Sequence, residues 1–160
     1  MLDLRGASTE DEIKSTFERY GVLLINGLNP EKNSTLIIGC GHNNDHSDHS
    51  FTDTIDIRAK LKPDALLQWG DERATQYLGT LNKYHEIIDE GPLVSFMNYS
   101  KEYFSAARSC LIIGGKLHLP KHILQESNIP EDFIKDKDVN TSHHRFGARH
   151  VYATYTYSPT

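Results

Sequence analysis

The sequence contains few of the residues that mark several large protein classes. Only two of its 160 residues are cysteines, Cys40 and Cys110, and they form no CxxC pair. This excludes a disulfide framework and a cysteine-based structural zinc site. No apolar stretch approaches the roughly 20 residues that a membrane-spanning helix needs, and the N-terminal MLDLRGASTEDE lacks the apolar core of a secretion signal. We therefore expect a cytoplasmic protein without a membrane partner.

Basic residues are also scarce. Seventeen Lys and Arg stand against 22 Asp and Glu, the net charge is -5, and no Lys/Arg-rich run occurs. A surface that follows a nucleic-acid backbone needs clustered positive charge, so nucleic acid is not expected as a partner. A hydrophobic content of 38% suits a globular protein. The length fits a single domain over 1–160, comprising an N-terminal helical segment (1–33), a core (34–119) and a C-terminal segment (120–160).

The most informative stretch is 34–56, STLIIGCGHNNDHSDHSFTDTID. Its apolar run Leu36-Ile37-Ile38 predicts a buried strand, and Gly39-Cys40-Gly41 predicts a turn where backbone approaches a ligand. The second apolar run, Thr54-Ile55, predicts a strand that ends at Asp56. Open α/β sheets bind ligands at the carboxyl ends of their strands, so this stretch predicts a ligand site.

Strands and helices alternate along the rest of the chain. The pair Thr9 and Glu12 has capping-box spacing and predicts a helix that Gly21 ends. Residues 22–25 suit either a further helical turn or a short strand. The predicted helices cover 9–20, 72–83 and 94–109, and the predicted strands cover 35–38, 65–69, 85–89 and 111–119.

The last quarter of the chain differs from the rest. We predict short helical pieces over 120–137, where charged residues are prominent. Residues 150–157, HVYATYTY, alternate in β-forming residues and predict an antiparallel edge strand. Together with the near-continuous apolar strands before it, this pattern predicts an α/β fold with a mostly parallel sheet and a terminal antiparallel strand pair.

Carboxylates follow three of the predicted strands, at Asp56, Asp71 and Asp89. A single aspartate at such a place often only caps the next helix. The recurrence at three strand ends instead favours a shared polar site at one edge of the sheet.

These motifs, in this order, resemble those of class I S-adenosylmethionine-dependent methyltransferases over about residues 34–119. Leu36 to Gly41 resembles the first motif, and Thr54 to Ile57 resembles the second strand with its ribose-binding acid. The stretch 62–71 is similar to the third strand with its adenine-side aspartate. The stretches 84–88 and 106–117 resemble the fourth and fifth strand motifs.

The resemblance implies a Rossmann-like methyltransferase fold and S-adenosylmethionine as cofactor. Only about a dozen residues separate Gly41 from the second strand, which implies that the first crossover helix is truncated or missing. In the implied site, Asp56 accepts hydrogen bonds from the ribose hydroxyls. Asp71 with Glu72 accepts from the adenine amino group, and Trp69 or Leu67 lies near the adenine ring. The cofactor-binding residues that follow are Gly39, Cys40, Gly41, Asp56, Ile57, Asp71, Glu72 and Asp89.

The same resemblance implies methyl transfer to an acceptor, which we expect to be a small molecule. Methyl transfer mainly requires orientation of the acceptor, sometimes with a base, so no catalytic residue is assigned. The candidates are Glu90, Tyr99, His118 and the pair His143-His144. A homo-oligomer is compatible with a chain this short.

Two alternatives stay open. In the first motif, Ile37 stands where the family has an acid, and Asn43 stands at the third glycine position. This altered motif and the missing helix are also compatible with a degenerate methyltransferase fold that binds the cofactor or a protein partner without turnover. The loop from His42 to His49, HNNDHSDH, resembles part of the HxHxDH pattern of metallo-β-lactamase-type hydrolases. The loop contains five side chains that would suit a transition metal: His42, Asp45, His46, Asp48 and His49. We nevertheless expect that this loop binds no metal.

Overall fold

The computed structural model describes residues 2–3, 9–39, 51–90, 100–120, 128–145 and 148–159. Within these ranges one mixed sheet carries two of the described helices on one face. None of the described helices is both long and apolar enough to cross a membrane.

The sheet contains nine strands in the described part of the chain, in the order β1-β2-β5-β4-β3-β6-β7-β9-β8. Five of the eight neighbouring strand pairs are parallel; the pairs β2–β5, β7–β9 and β8–β9 are antiparallel. The strands are β1 (Leu2–Asp3), β2 (Val22–Leu24), β3 (Thr35–Ile38), β4 (Thr52–Asp56), β5 (Ala65–Leu67), β6 (Tyr84–Asp89), β7 (Leu111–Pro120), β8 (Phe133–Arg145) and β9 (Ala148–Tyr157).

Strand order reverses beside the central strand β3. The chain leaves β3 for β4 and β5 on one side, and then returns to place β6 and β7 on the other. The crevice at the carboxyl ends of β3 and β6 is therefore the topological switch point, where α/β sheets bind ligands.

Three helices are described, and each begins at a side-chain cap. They are α1 (Glu10–Tyr20), α2 (Glu72–Gly79) and α3 (Lys101–Cys110). Thr9, Asp71 and Ser100 accept hydrogen bonds from amides in the first turns of α1, α2 and α3, respectively, which satisfies donors that a helix start leaves unpaired. A short 3-10 helix (Ala59–Leu61) lies between β4 and β5.

Helices α2 and α3 cover one face of the sheet. Ala74 and Leu78 of α2 and Phe104 of α3 pack in one buried cluster with Leu36 and Ile38 of β3. On the opposite face, Ile37, Ile88 and Tyr152 form a smaller buried cluster. Because β3 is buried on both faces, its side chains are apolar without alternation, and this is why its sequence reads as a continuous apolar run.

Most of the predicted elements are confirmed. The helix predicted over 9–20 and the strand predicted over 35–38 agree with α1 and β3. Gly21 ends α1 with a left-handed φ of 78°, as its position suggested. Residues 22–24 form a strand, so the helical alternative for that segment is wrong. The α/β class, the mostly parallel sheet and the terminal antiparallel pair are also confirmed.

Other predictions differ from the structure. The helix predicted over 72–83 ends at Gly79, and the strand predicted over 65–69 ends at Leu67. Residues 133–137 belong to β8, so helical pieces there are wrong; charged side chains suit the outermost strand of a sheet. The predicted edge strand, β9, lies instead between β7 and β8. The first part of the helix predicted over 94–109 lies outside the described residues.

Candidate functional site

Gly39 lies at the switch point, directly after β3. Its φ is 70°, a left-handed value that residues with a Cβ seldom adopt. Its N–H donates to the Ile55 carbonyl of β4 over 3.0 Å, and the Glu90 N–H donates to the Ile38 carbonyl over 2.9 Å. The glycine is therefore held between the carboxyl ends of two parallel strands, where its backbone can approach a ligand closely.

Asp56 is the last residue of β4 and is 5% exposed. Its Oδ1 accepts hydrogen bonds from the amides of Ile57, at 2.7 Å, and Arg58, at 3.0 Å. The Arg58 Nε lies 3.3 Å from the same oxygen. The carboxylate thus fixes the turn after β4, and its charge is held at the carboxyl edge of the sheet by donors from its own segment.

Asp71 and Glu72 lie beyond the end of β5. Oδ1 of Asp71 accepts from the amides of Arg73, at 2.9 Å, and Ala74, at 3.2 Å, so this residue is the N-cap of α2. Glu72 is exposed in the first turn of the same helix. Capping therefore accounts for one oxygen of Asp71 without any ligand, and the predicted contact of Asp71 and Glu72 with adenine stays a prediction.

Asp89 ends β6 and is completely buried. Its Oδ2 accepts a hydrogen bond from the Tyr103 hydroxyl of α3 over 2.8 Å. The ring of Tyr103 is in turn packed edge-on against Trp69, with 5.9 Å between ring centroids. Asp89 therefore ties β6 to α3, and its predicted contact with the cofactor stays a prediction.

Trp69, two residues past β5, is 2% exposed, and its Nε1 has no hydrogen-bond partner among the described residues. A buried N–H without an acceptor costs about 1–3 kcal/mol. Such donors are rare in folded proteins and often mark a place where a water or a ligand binds. The family resemblance implied Trp69 or Leu67 near the adenine ring, and that placement stays a prediction; no role for Tyr103 was expected from the sequence.

The two strand-end acids lie on opposite faces of the sheet. Asp89 contacts α3, whereas alternation along β4 places Asp56 on the face opposite Ile55, which packs in the helix-side cluster. Two strand spacings, about 10 Å, separate β4 from β6. Ile57 directly follows Asp56 and is 40% exposed, so its side chain adds apolar surface next to that carboxylate.

His118, a candidate base, belongs to a row of polar side chains across four strands. Its Nε2 lies 2.8 Å from Glu86 Oε2, and its Nδ1 lies 2.8 Å from Thr154 Oγ1. Thr35 Oγ1 donates to the other oxygen of Glu86 over 3.3 Å. His118 is 4% exposed, and both of its ring nitrogens have protein partners. These contacts give His118 a structural role, because they link neighbouring strands of the sheet.

Two further buried groups are structural. Asp53, 1% exposed, accepts from the Tyr84 hydroxyl over 2.6 Å, the Asn29 amide over 2.7 Å and the Asn33 side chain over 2.7 Å. Burial raises the pKa of this carboxyl despite those hydrogen bonds. Burial also raises the pKa of the Cys110 thiol to about 12, which leaves it protonated and unreactive at neutral pH.

Several predicted residues cannot be placed. Cys40, Gly41, Tyr99 and the whole loop from His42 to His49 lie outside the described residues. His143 and His144 are described only through their strand positions in β8. In the part of the chain with described side chains, no three histidine, cysteine or acidic residues are grouped as a metal site would require.

No protein-family model and no curated protein matches the sequence. Among solved structures, the chain is similar to the N-methyltransferase NodS from Bradyrhizobium japonicum WM9, with 13% identity, coverage of 94% of this chain and 97% of that chain, and a TM-score of 0.48. It is also similar to magnesium protoporphyrin IX methyltransferase from Synechocystis PCC 6803, with 14% identity, coverage of 92% and 77%, and a TM-score of 0.44. A third similar structure, precorrin 8w decarboxylase from Methanobacterium thermoautotrophicum, has 13% identity, coverage of 94% and 92%, and a TM-score of 0.39.

Within the sheet, the order β5-β4-β3-β6-β7-β9-β8 places the switch point beside β3 and leaves β9 antiparallel to both of its neighbours. This is the mostly parallel sheet with a terminal antiparallel pair that the sequence resemblance implied. The protein therefore has a Rossmann-like α/β fold, with a mostly parallel sheet and a terminal antiparallel strand pair.

Proposed function

We propose that the protein is an S-adenosylmethionine-dependent methyltransferase that acts on a small-molecule acceptor. The observation that carries the proposal is the position of Gly39. Its left-handed backbone lies at the switch point of the sheet, between the strand that ends in Asp56 and the strand that ends in Asp89. A glycine turn beside strand-end carboxylates is the arrangement by which such sheets hold nucleosides.

The residues present fit the cofactor in three respects. Asp56 carries a buried carboxylate at the carboxyl edge, where it would accept hydrogen bonds from ribose hydroxyls. Ile57 exposes an apolar side chain that suits one face of a purine ring. The Nε1 of Trp69 is a buried donor that an acceptor atom of a ligand would satisfy.

When bound, S-adenosylmethionine supplies an activated methyl group on a sulfonium. The protein then has to hold the acceptor in line with that carbon and exclude water, and orientation alone contributes several kcal/mol to such reactions. The fixed turn of Asp56 and the rigid backbone at Gly39 supply a preorganised edge for this purpose. Glu90 directly follows β6 and is 7% exposed. It is the candidate base that lies next to Asp89 in the sequence.

A second candidate function, binding without turnover, is favoured by a specific observation. The Oδ1 atoms of Asp71 and Asp56 both accept from backbone amides of their own segments. Each carboxylate therefore has a structural role, and its presence in the sequence does not require that the protein catalyses a reaction. This version of the protein would bind the cofactor or a partner through the same edge and transfer no methyl group.

Calorimetric titration of the protein with S-adenosylmethionine and S-adenosylhomocysteine, up to millimolar concentration, tests the proposal. We expect saturable binding of both, with ATP binding more weakly because it lacks the sulfur-bearing amino acid. No binding by protein that circular dichroism shows to be folded would refute the cofactor site. Release of label from methyl-tritiated S-adenosylmethionine to a pool of amines, phenols and carboxylic acids would then separate a methyltransferase from a binding protein.

A further inference from the structure

Helix α1 ends at the carboxyl edge of the sheet, beside the end of β5. Strand β2 begins directly after Gly21, the residue that ends α1, and pairs antiparallel with β5. In this pair Val22 lies opposite Leu67, the last residue of β5. Strand β5 is parallel to β4, so its end lies at the same edge as Asp56. The last turn of α1 is therefore close to the segment that carries Asp71.

Arg73 of α2 joins these two segments. Its Nη1 donates to the carbonyl oxygens of Arg19, over 3.1 Å, and Glu18, over 3.3 Å. The last carbonyls of a helix have no partner within the helix and carry the negative end of its dipole. A guanidinium group at this place satisfies such acceptors and is attracted by the dipole. Arg73 thus caps the C-terminus of α1 from the first turn of α2.

The same guanidinium group lies close to Asp71. Its Nε is 3.6 Å from Oδ1 of Asp71, and this oxygen also accepts from the amides of Arg73 and Ala74. Three contacts therefore fall on one oxygen of the carboxylate. No residue in the described part of the chain donates to Oδ2, and the Asp71 side chain is 29% exposed. Oδ2 can thus accept a hydrogen bond from a ligand.

The backbone of Gly21 makes room for the guanidinium group. A Cβ atom at position 21 would lie 2.7 Å from Nε and 2.8 Å from Cζ of Arg73, closer than such atoms approach each other. The left-handed φ of 78° at Gly21 favours glycine for a second reason. The guanidinium group is therefore packed against this backbone, with the carbonyls of α1 and the carboxylate of Asp71 as its polar contacts.

This set of contacts suits arginine better than lysine. The guanidinium group presents its donors in a rigid plane, so Nη1 can bind the α1 carbonyls while Nε faces Asp71. A lysine has the same charge on a single nitrogen and could not make both contacts in this way. The Arg73 side chain is 51% exposed, and exposed ion pairs contribute little to stability. The contact with Asp71 therefore affects the orientation of the carboxylate more than the stability of the fold.

We propose that Arg73 is a positioning residue for Asp71. By joining the carboxylate to the last turn of α1, Arg73 keeps Oδ1 in place and leaves Oδ2 to accept a hydrogen bond from the amino group of a bound adenine. The identity of this ligand rests on the proposed function, since the contact between Asp71 and adenine is the one that the family resemblance implies. Specificity for adenine then depends on Arg73, although Arg73 itself does not contact the ligand.

Hypoxanthine is the purine that distinguishes this arrangement, because it has a carbonyl oxygen where adenine has an amino group. A carboxylate accepts a hydrogen bond from the amino group but has no proton to give to the carbonyl, so it repels hypoxanthine. Sites that hydrogen-bond a donor of the ligand strongly reject analogues that lack this donor. We expect the rejection to be lost when the guanidinium group is removed, since the carboxylate can then turn away from the base.

The test is calorimetric titration of the whole protein with S-adenosylhomocysteine and with S-inosylhomocysteine, its hypoxanthine analogue. The variant is Arg73→Gln. The matched control is Arg19→Gln, which removes an exposed arginine of α1 and keeps the carbonyl that Arg73 contacts. We expect wild type and control to bind S-adenosylhomocysteine about tenfold or more tightly than the analogue. In Arg73→Gln this ratio should fall below roughly threefold, because affinity for S-adenosylhomocysteine decreases and affinity for the analogue does not.

The ratio of the two affinities separates positioning from a purely structural role. If Arg73 only stabilised α1, Arg73→Gln would weaken both ligands equally and keep the wild-type ratio, which would overturn the inference. Wild-type protein that binds both ligands equally well would also overturn it, while the proposed function would stand. If folded wild-type protein binds neither ligand, the proposed function and this inference are both refuted.

A second variant keeps the charge, for the case in which Arg73→Gln does not fold. Arg73→Lys retains a cation near the α1 carbonyls but cannot also provide the Nε contact with Asp71. We expect it to lower the ratio of affinities roughly threefold relative to wild type, with circular dichroism as the check of folding. A wild-type ratio in folded Arg73→Lys would contradict the proposal.

Discussion

The hydroxyl of Tyr103 donates to Oδ2 of Asp89 over 2.8 Å, and both residues are completely buried. This hydrogen bond fixes α3 to the carboxyl end of β6, next to the point where strand order reverses. It also gives a donor to a carboxylate that would otherwise be costly to bury. The edge of the sheet is thereby held rigid on its helix side, as a ligand site requires.

Tyr103→Phe removes that donor and leaves the buried carboxylate of Asp89 with one partner fewer. We expect the free energy of unfolding to fall by about 1–3 kcal/mol, measured in urea. Tyr20→Phe is the control, because the Tyr20 ring lies under Arg19 and that contact does not need the hydroxyl. An equal loss in both variants would show that the hydrogen bond to Asp89 has no special value.

Ile57→Ala shortens the exposed side chain beside Asp56. Because the side chain is 40% exposed, we expect the free energy of unfolding to change by no more than about 0.5 kcal/mol. The affinity for S-adenosylhomocysteine should fall roughly fivefold, the effect of about 1 kcal/mol of lost apolar contact. Ile113→Ala, at a position 75% exposed on β7, is the control and should leave the affinity unchanged. Equal affinities in all three proteins would exclude Ile57 from the site.

Trp69 is the only tryptophan in the chain, so its fluorescence reports on the end of β5. We expect saturating S-adenosylhomocysteine to change its emission, because an acceptor atom near Nε1 would alter the environment of a donor that has no partner among the described residues. The titration midpoint should equal the calorimetric dissociation constant. Calorimetric binding without any change in emission would place the ligand away from Trp69.

The pair Arg108 and Asp132 should make stability depend on acid pH. The Asp132 carboxylate accepts from Arg108 at 2.5 and 2.8 Å, and this hydrogen bonding lowers its pKa below the ordinary 3.8. A carboxyl with a lowered folded-state pKa stabilises the protein above its unfolded pKa, and that stabilisation is lost as pH falls through the folded value. Asp132→Asn should therefore cost about 1 kcal/mol at pH 7 and progressively less below pH 3.8, measured by urea unfolding. A cost that does not change with pH would contradict this.

The sheet could be predicted from sequence because its central strands are buried on both faces. Leu36, Ile37 and Ile38 are all fully buried, and a continuous apolar run of this kind is typical of a strand that is covered on both faces. Gly39 directly follows this run and Asp56 ends the next strand, so both residues indicated the carboxyl edge of the sheet from local sequence alone. The mostly parallel sheet and its terminal antiparallel pair followed from the alternation of strands and helices along the chain.

The cross-strand contacts could not be predicted in this way. The row Thr35–Glu86–His118 joins residues 51 and 32 positions apart in sequence. Asp53, in the alternating stretch TDTID, reads as solvent-facing, yet it is 1% exposed and holds Tyr84. Partners so far apart are set by strand register, which depends on the whole sheet. The final strand was misplaced because alternation indicates one polar face and carries no information about which strand lies outermost.

The central claim is that Asp56 helps to hold the cofactor at the carboxyl edge, and the dissociation constant of S-adenosylhomocysteine for Asp56→Asn tests it most directly. Asparagine keeps an oxygen for the amides of Ile57 and Arg58 but replaces the other oxygen with a donor that cannot accept from ribose. We predict binding at least tenfold weaker than wild type, with the exposed control Asp11→Asn unchanged. Equal affinity in wild type and Asp56→Asn, with both folded, would contradict the account.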